Sequence, residues 1–341
     1  MISMAKTSTN TPPIVLRITQ GRLNPYLVTA LILAAFAGIW YLVSVFEGWK
    51  SLGSALNLAV FFSVTITYTI LITHVIIKGH EKDLFQLTDQ LPDRAAQYDK
   101  WLNQLHTYKN HNRLYIVFIC IGLGHAMIGR GPLFRLISMK SDYVLFDLWM
   151  TILIVMTWIV ITQASTIFVG NLRFFARLVK EHEIDILFTH KLSPYIRAGV
   201  RSTLAFMGAY SLFPLLQIND IFYLLFNPAL LVFIPIVIKM ISIPILPLRK
   251  RIRELRSREL SLIENAINGD RQALKDSRLN AEMDDLNIVD LITYKNFLRE
   301  IKDLPVNIPI AFRLLLYILL PVLTWVAASL VDKLVVAFLK M

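Results

Sequence analysis

Residues 145–170 read LFDLWMTILIVMTWIVITQASTIFVG, and this stretch decides the fold class. Asp147 is its only charged residue. A helix that crosses a hydrocarbon core of roughly 30 Å needs about 20 mainly apolar residues, so the stretch predicts a transmembrane helix. The next ten residues, NLRFFARLVK, place Arg173, Arg177 and Lys180 between large apolar side chains. This spacing favours a continuation of the same helix beyond the membrane.

Six further segments of the chain are similarly apolar. The whole chain is 55% hydrophobic and 17% charged, with a mean hydropathy of +0.56, whereas a soluble domain carries about 25% charged residues. The sequence therefore predicts an all-α, polytopic helical membrane protein with about seven transmembrane helices plus cytoplasmic helical extensions. The third and fifth segments would rise only about 24 Å as helices, which leaves their inclusion among the spans open. The six segments lie at about 26–46, 54–77, 114–129, 202–217, 221–246 and 308–331.

The basic residues are distributed unevenly between alternate loops. With the N-terminus inside the cell, the predicted cytoplasmic parts contain 27 of the 35 Lys and Arg residues. Basic residues collect on the cytoplasmic side of membrane proteins, so we expect a cytoplasmic N-terminus and a C-terminus outside. The loop 130–144 is the exception, because Arg130, Arg135 and Lys140 fall on the predicted outer side.

These boundaries divide the chain into four parts, with cytoplasmic helices inside the second. Pro92 is expected to separate two amphipathic helices, because proline cannot supply a backbone N–H. Gly269 is expected to end a charged helix, and the helix after it would bury Leu291, Ile292 and Leu298 along one stripe. The parts are a cytoplasmic segment (1–25), a membrane bundle of six spans (26–246) with cytoplasmic helices in 78–113 and 171–201, a cytoplasmic helical hairpin (247–307), and the last span with a short outer tail (308–341).

The formal net charge of +11 and the pI near 9.7 bear on the binding partners. In a soluble protein this charge would suggest nucleic acid. In a membrane protein it favours anionic lipid at the basic cytoplasmic loops, because such loops lie against a negatively charged leaflet. We therefore expect the lipid bilayer as the main partner and no nucleic acid. A homo-oligomer and a cytoplasmic protein partner are both compatible with the sequence.

Motifs that would identify an enzyme are missing from the sequence. It contains no HExxH, GxSxG, Walker A or GxGxxG pattern, so we expect no catalytic residue, no cofactor and no metal. The single cysteine, Cys120, rules out an intramolecular disulfide. The glycines of 122–130 favour close packing of an apolar helix against its neighbours.

Four residues inside the predicted spans are candidates for a pore or a gate. Lys239 lies about two turns, roughly 11 Å, from the inner end of its span; it would be a pore or substrate charge, or a side chain that snorkels to the interface. His125 would be a proton relay or a packing histidine. Pro235 and Pro321 would be hinges of a gate or static kinks.

Three segments of the C-terminal half resemble a known group of proteins when taken in order. They read ILFTHKLSPYIRAGVRS at 186–202, LRKRIRELRSREL at 248–260 and IPIAFRLLLYILLPVLTW at 308–325. They are similar to uncharacterised multi-pass membrane proteins of proteobacteria, a resemblance that implies a bacterial inner (plasma) membrane and no particular activity. The number of spans and the orientation are also those of insect chemoreceptors, with which the chain shares no motif.

Two functions are compatible with these features of the sequence. The first is a channel or transporter-like protein with kinked sixth and seventh spans, lined by hydroxyl side chains of spans two and four. The alternative is a membrane-anchored sensor or scaffold that acts through the cytoplasmic hairpin 249–303. An intramembrane enzyme ranks last, since the sequence contains no catalytic motif. The hydroxyl side chains available to a pore include Thr65, Thr69, Thr151, Thr157, Thr162 and Ser165.

Overall fold

The described part of the protein is entirely helical. A computed structural model describes residues 13–19, 21, 23–47, 53–89, 91, 93–107, 111–128, 131–181, 184–212, 215, 228–280 and 286–301, and none of these lies in a strand. The predicted all-α class is confirmed for these residues. The predicted span 308–331, and Pro321 within it, lie outside them.

The described residues contain ten α-helices and two short 3-10 helices at Thr189–Leu192 and Arg271–Asp276. In chain order they are α1 (Ile14–Thr19), α2 (Pro25–Phe46), α3 (Gly53–Thr88), α4 (Arg94–Leu105), α5 (His111–Met127), α6 (Pro132–Ile137), α7 (Val144–Glu181), α8 (Ser193–Tyr210), α9 (Pro228–Ile267) and α10 (Ile288–Glu300).

Three helices are long and apolar enough to cross a membrane, judged by length and composition. They are α2, α3 over Leu56–Thr88, and α7. The apolar part of α5, Tyr115–Met127, is shorter. In α2 the buried residues are Thr29 and Phe36, and most of its other side chains are exposed. An apolar helix exposed on most sides suits a lipid environment. The count of seven spans stays a prediction.

The long helices extend well beyond the thickness of a bilayer. The 36 residues of α3 and the 38 of α7 rise about 54 and 57 Å, against a hydrocarbon core of roughly 30 Å. The predicted continuation of span four through Arg173, Arg177 and Lys180 is therefore confirmed as helix. α3 ends at Thr88 and α4 starts at Arg94, on either side of the predicted break. We term the polar end of the bundle the end that contains the charged C-terminal parts of three helices, 78–88 of α3, 171–181 of α7 and 249–267 of α9.

A single helix, α9, continues through position 246/247, where the sequence analysis placed the boundary between span six and the hairpin. It continues from Pro228 to Ile267 through Pro235, Pro244 and Pro247. Each proline removes one backbone hydrogen bond, but packing of the same helix on both sides of the prolines keeps it continuous. Pro244 is buried against α8, where its Cγ lies 2.9 Å from the place a Cβ on Gly199 would occupy.

After α9 the described residues contain a turn, a short 3-10 helix at Arg271–Asp276 and α10. Gly269, with φ +108°, ends the turn after α9 in the left-handed region, as its position predicted. α10 begins at a capping box, in which the Asn287 side chain accepts from the Asp290 backbone N–H and the Asp290 carboxylate accepts from the Asn287 backbone N–H. Leu291 and Leu298 are buried as predicted, whereas Ile292 is 44% exposed and does not belong to the packed stripe.

A buried carboxylate fastens the hairpin together. Glu259 of α9 accepts hydrogen bonds from Ser277 Oγ at 2.6 Å, from the Arg278 backbone N–H at 3.0 Å and from Tyr294 OH at 3.3 Å. Burial raises the pKa of Tyr294, and the charge of Glu259 raises it further, so the phenol stays a donor. The cluster therefore has a structural role: it stabilises the hairpin, because a buried charge needs hydrogen-bonding partners.

Two carboxylates, those of Glu47 and Asp147, form hydrogen bonds at the end of the bundle opposite the polar end. Glu47, just after α2, accepts from the backbone N–H of Leu145 at 2.6 Å and so caps the first turn of α7. Asp147 is buried and accepts from Arg135 Nε at 2.8 Å and from Ser141 Oγ at 2.8 Å. The hydrogen bond to Asp147 raises the pKa of Arg135. One of the three basic residues in the exceptional loop 130–144 is therefore neutralised by a partner.

The N-terminal segment contributes a buried element. In α1 the side chains of Val15, Leu16 and Thr19 are buried, and the Val15 backbone N–H donates to Gln163 Oε1 of α7 at 3.3 Å. A helix of six residues is not stable alone, so α1 depends on this contact with the bundle. Part of the predicted cytoplasmic segment 1–25 is thus packed into the bundle.

Close packing of α5 on α7 depends on one glycine. A Cβ on Gly122 would lie 2.9 Å from Val155 Cα, whereas a Cβ on Gly124 would meet no atom within 4 Å. We expect Gly122→Ala to destabilise the protein by about 1–3 kcal/mol through overpacking. Gly124→Ala should be neutral or stabilising, since alanine favours a helix by about 1 kcal/mol over glycine. Thermal unfolding of both variants in detergent measures the difference, and equal midpoints would contradict close packing at Gly122.

Candidate functional site at the polar end

A buried carboxylate, that of Asp83, lies at the centre of a polar network at this end of the bundle. It lies on α3 with no exposed surface. Two arginines from successive turns of α8 form hydrogen bonds to it. Arg197 Nε donates to Oδ1 at 3.1 Å, and Arg201 Nη1 donates to Oδ2. Arg197 also donates to Gln86 Oε1. Residues four apart on a helix lie on the same face, which is why both guanidinium groups reach one carboxylate.

Arg201 needs a glycine opposite it on α3. Its Nη1 donates to the Gly79 backbone carbonyl at 2.6 Å. A Cβ on Gly79 would lie 2.9 Å from Arg201 Cδ and from Nη1. The absence of a side chain at this position allows the guanidinium to reach the backbone and Asp83 together.

A buried histidine continues the network to α7. His80 Nδ1 lies 3.1 Å from Asn171 Nδ2, and Nε2 lies 3.4 Å from the Ala198 carbonyl oxygen. The amide of Asn171 is a donor and the carbonyl an acceptor, so the pattern fits the neutral ring with its proton on Nε2. The ring also contacts Phe175 edge-to-face, with centroids 5.3 Å apart. His80 and Asp83 together connect α3 to both α7 and α8.

Aromatic side chains shield this network. Tyr195 at the start of α8 is fully buried and packs at right angles to Phe175, with ring centroids 6.3 Å apart. Burial raises the pKa of Tyr195, so its phenol stays protonated. The surrounding core includes Leu84, Leu248 and Ile252. A network enclosed in this way contributes to stability through satisfied hydrogen bonds.

A cavity of about 560 Å³ opens beside the network. Asn171, which binds His80, is also one of its lining residues, so cavity and network share a wall. The remaining wall comes from α7, from the end of α4 with the residues after it, and from Pro247 of α9. Arg173, Arg177 and Lys180 line it from α7. This is a concave, positively charged site at the polar end.

The four predicted candidates do not form one site within the described residues. Lys239 and Pro235 are both exposed, one turn apart on α9. His125 is exposed on α5, where its Nδ1 accepts from Trp158 Nε1 of α7 at 2.8 Å. This contact fits the packing role. Pro321 lies outside the described residues.

Of the six hydroxyl groups proposed to line a pore, five donate to carbonyls of their own helices, and the sixth, that of Thr65, is buried without a hydrogen-bond partner among the described residues. Thr69 Oγ1 donates to the Thr65 carbonyl at 2.7 Å, Thr157 Oγ1 donates to the Leu153 carbonyl at 2.7 Å, and Ser165 does the same to Ile161. Thr69 and Thr157 are buried among apolar side chains. Such bonds satisfy the hydroxyl without a polar path. A path between the described helices is therefore not supported by these residues.

Sequence reasoning missed the network and the cavity. The signal that could have indicated the network was a carboxylate and a histidine three residues apart, just past an apolar segment, together with Arg197 and Arg201 four residues apart. Periodicity does not say which helices pair, so the two sets could not be assigned to each other. Within the described ranges no group of three or more His, Cys, Asp or Glu residues could hold a metal ion.

No protein-family model, no curated protein and no solved structure matches the chain. The class of protein is therefore defined by the fold only. Over the described residues the protein is all-helical, and three of its helices are long and apolar enough to cross a membrane. The resemblance to proteobacterial multi-pass proteins stays a prediction.

Loss of the Asp83 carboxylate should lower the free energy of unfolding more than loss of an exposed carboxylate. Asp83→Asn would leave Arg197 and Arg201 without a counter-charge. Breaking a fully buried pair costs about 3–5 kcal/mol, but their side chains are 38% and 30% exposed, so we expect about 2 kcal/mol after solvent screening. The control is Asp89→Asn, whose ion pair with Arg94 is exposed on both sides and should contribute less than about 1 kcal/mol. Equal unfolding midpoints for both variants would rule out the special role of Asp83.

Proposed function

We propose that the protein is a multi-pass membrane protein of the channel or transporter class, with its N-terminus in the cytoplasm of a bacterial cell and its body in the inner membrane. In this proposal the face of α9 that carries Lys239 and Pro235 lines the polar path. The observation that carries it is the exposure of Lys239 on the side of α9 turned away from the packed helices.

The two sides of α9 differ sharply in their surroundings. Met240, Pro244 and Leu248 are buried, each a turn from the next, and face α7 and α8. Lys239 and Leu246 are exposed on the other side. A lysine at the centre of a membrane helix costs about 2.5–3.5 kcal/mol, which favours a polar neighbour or water beside it. Snorkelling of the long side chain to the interface is the competing explanation.

A second feature supports control of such a path from the polar end. α9 continues from Lys239 through Pro244 and Pro247 into the helical hairpin without a break. Prolines in a membrane helix are sites of kinking, and a helix transmits a displacement along its axis. In this proposal, a displacement of the hairpin is therefore transmitted along α9 to the exposed face at Lys239.

The test is ion or solute flux through the full-length protein reconstituted in vesicles. If Lys239 faces the path, Lys239→Glu should change flux by about tenfold or invert the preference between anions and cations, because one charge is reversed in a medium of low dielectric. Lys239→Ala should give a smaller change in the same direction. Thermal unfolding in detergent checks that the variants remain folded.

A matched control lies on the same helix. Lys250 is exposed near the polar end and forms an i,i+4 contact with Glu254 in which both side chains are largely exposed. Lys250→Glu changes the net charge equally but should leave flux unchanged. No flux in the wild-type protein, or equal effects at both lysines, would refute the conduction role of this face.

A second candidate function is a membrane-anchored sensor or scaffold that acts through the hairpin. The observation in its favour is the exposure of large apolar side chains on α10: Val289 is 68% exposed and Phe297 47% exposed. Contiguous exposed apolar surface is typical of interaction sites. Its position on the hairpin fits a cytoplasmic protein partner.

Charges placed on this surface should separate the two functions. Val289→Asp with Ile292→Asp should reduce recovery of a specific partner after cross-linking in cells by at least about tenfold, because each buried carboxylate would need a counter-charge. The control, Ser261→Asp with Asn265→Asp, adds the same charge to exposed polar positions of the other helix of the hairpin, α9. Equal recovery with both pairs would contradict the scaffold function, whereas unchanged flux in the first pair would agree with it.

A further inference from the structure

The cavity at the polar end has a regular basic wall. Nine residues of α7 line the cavity, and five of them follow one another at spacings of four, three, four and three residues, which places these five on a single face of the helix. Along this face a hydroxyl and a glycine are followed by three cations. The five residues are Thr166, Gly170, Arg173, Arg177 and Lys180, and Ile167, Asn171, Phe174 and Ala176 line the cavity beside them.

The cations of this wall differ from the arginines of the neighbouring network. Arg197 and Arg201 are matched to the buried carboxylate of Asp83. In the described part of the chain, by contrast, Arg173, Arg177 and Lys180 form no ion pair within 4 Å, and no lining residue is acidic. Three positive charges along one wall repel one another. An anion in the cavity would relieve that repulsion.

A neutral donor completes the surroundings. Gln104, at the end of α4, also lines the cavity, and its amide NH₂ can donate to phosphate oxygens. Thr107 lines the cavity too, but its hydroxyl donates to the Asn103 carbonyl at 2.7 Å. Gly170 leaves the wall open, since a Cβ there would meet no atom within 4 Å. The volume of about 560 Å³ is within the usual range of ligand sites.

We propose that this cavity binds a phosphate-bearing anion, with Arg173 and Arg177 as the main contacts and Lys180 as a supporting charge. Guanidinium groups bind two phosphate oxygens at once, which lysine does not. The position on α7, directly after the apolar segment that ends near Gly170, is the level expected for lipid headgroups. The phosphate could come from an anionic phospholipid or from a soluble phosphate compound. The site does not depend on whether the protein conducts.

Binding is measured on the full-length protein in a non-ionic detergent, by saturable thermal stabilisation. One arm titrates sodium phosphate against sodium chloride at equal ionic strength. The other titrates mixed micelles of dioleoylphosphatidylglycerol, with dioleoylphosphatidylcholine as the neutral comparison. Saturation by phosphate identifies a soluble anion, and saturation by phosphatidylglycerol alone identifies a lipid headgroup; either result supports the site if it also depends on the cavity.

Dependence on the cavity is tested with three variants. Arg173→Gln with Arg177→Gln should raise the dissociation constant by about tenfold or more, because two charge-assisted contacts are lost. Arg249→Gln with Arg253→Gln removes the same charge from exposed positions of α9 outside the cavity and should have no effect. Gly170→Leu keeps every charge but fills the cavity, and should weaken binding as strongly as the first pair.

Three results would overturn the site. The first is the absence of saturable stabilisation by either probe in the wild-type protein. The second is equal weakening in the two arginine pairs, which would reduce the effect to general surface charge. The third is full binding in Gly170→Leu, which would place the anion elsewhere. Gly170→Leu has open space and a better helix former, so loss of folding is not expected to obscure this result.

Discussion

The arrangement of helices at the polar end depends on the ion pairs that the buried Asp83 carboxylate forms with two arginines. The carboxylate lies within the hydrophobic core, where an isolated charge would be too costly to keep. Arg197 and Arg201 make its burial tolerable, and in doing so they fix α8 against α3 in one register. His80, one turn away, extends the same constraint to Asn171 of α7. The three helices are thereby fixed to one another where they leave the apolar part of the bundle.

This network holds the long helices in place at the polar end. Helices of more than about 50 Å that were only packed side by side could slide or splay at their free ends. Held at the polar end, α3 and α7 instead keep a fixed position beside α9, which contains Pro244 and Pro247. The cavity lined by Arg173 and Arg177 lies beside this network. Any anion bound there would act on the same contacts that fix the helices.

Much of the local structure could be predicted from particular residues. The apolar run 145–170 and the amphipathic continuation after it gave α7, because membrane thickness and helical periodicity are properties of a single segment. Gly269 and the break around Pro92 were predictable, since they depend on backbone conformation alone. The continuity of α9 was not, because proline tolerance is decided by the neighbours that bury the helix. The exposure of Ile292 and the burial of α1 were missed for the same reason: each depends on what lies opposite.

The sequence by itself determined that this chain forms helices, that several are apolar enough for a membrane, and where the charge accumulates. These are consequences of composition and period, which are read along the chain. Only the tertiary structure decided which charges are matched and which are not. Arg173 and Arg201 are indistinguishable as letters in a basic amphipathic helix. One faces an open cavity and the other a buried carboxylate, because pairing is a property of the space between helices and is set by their packing.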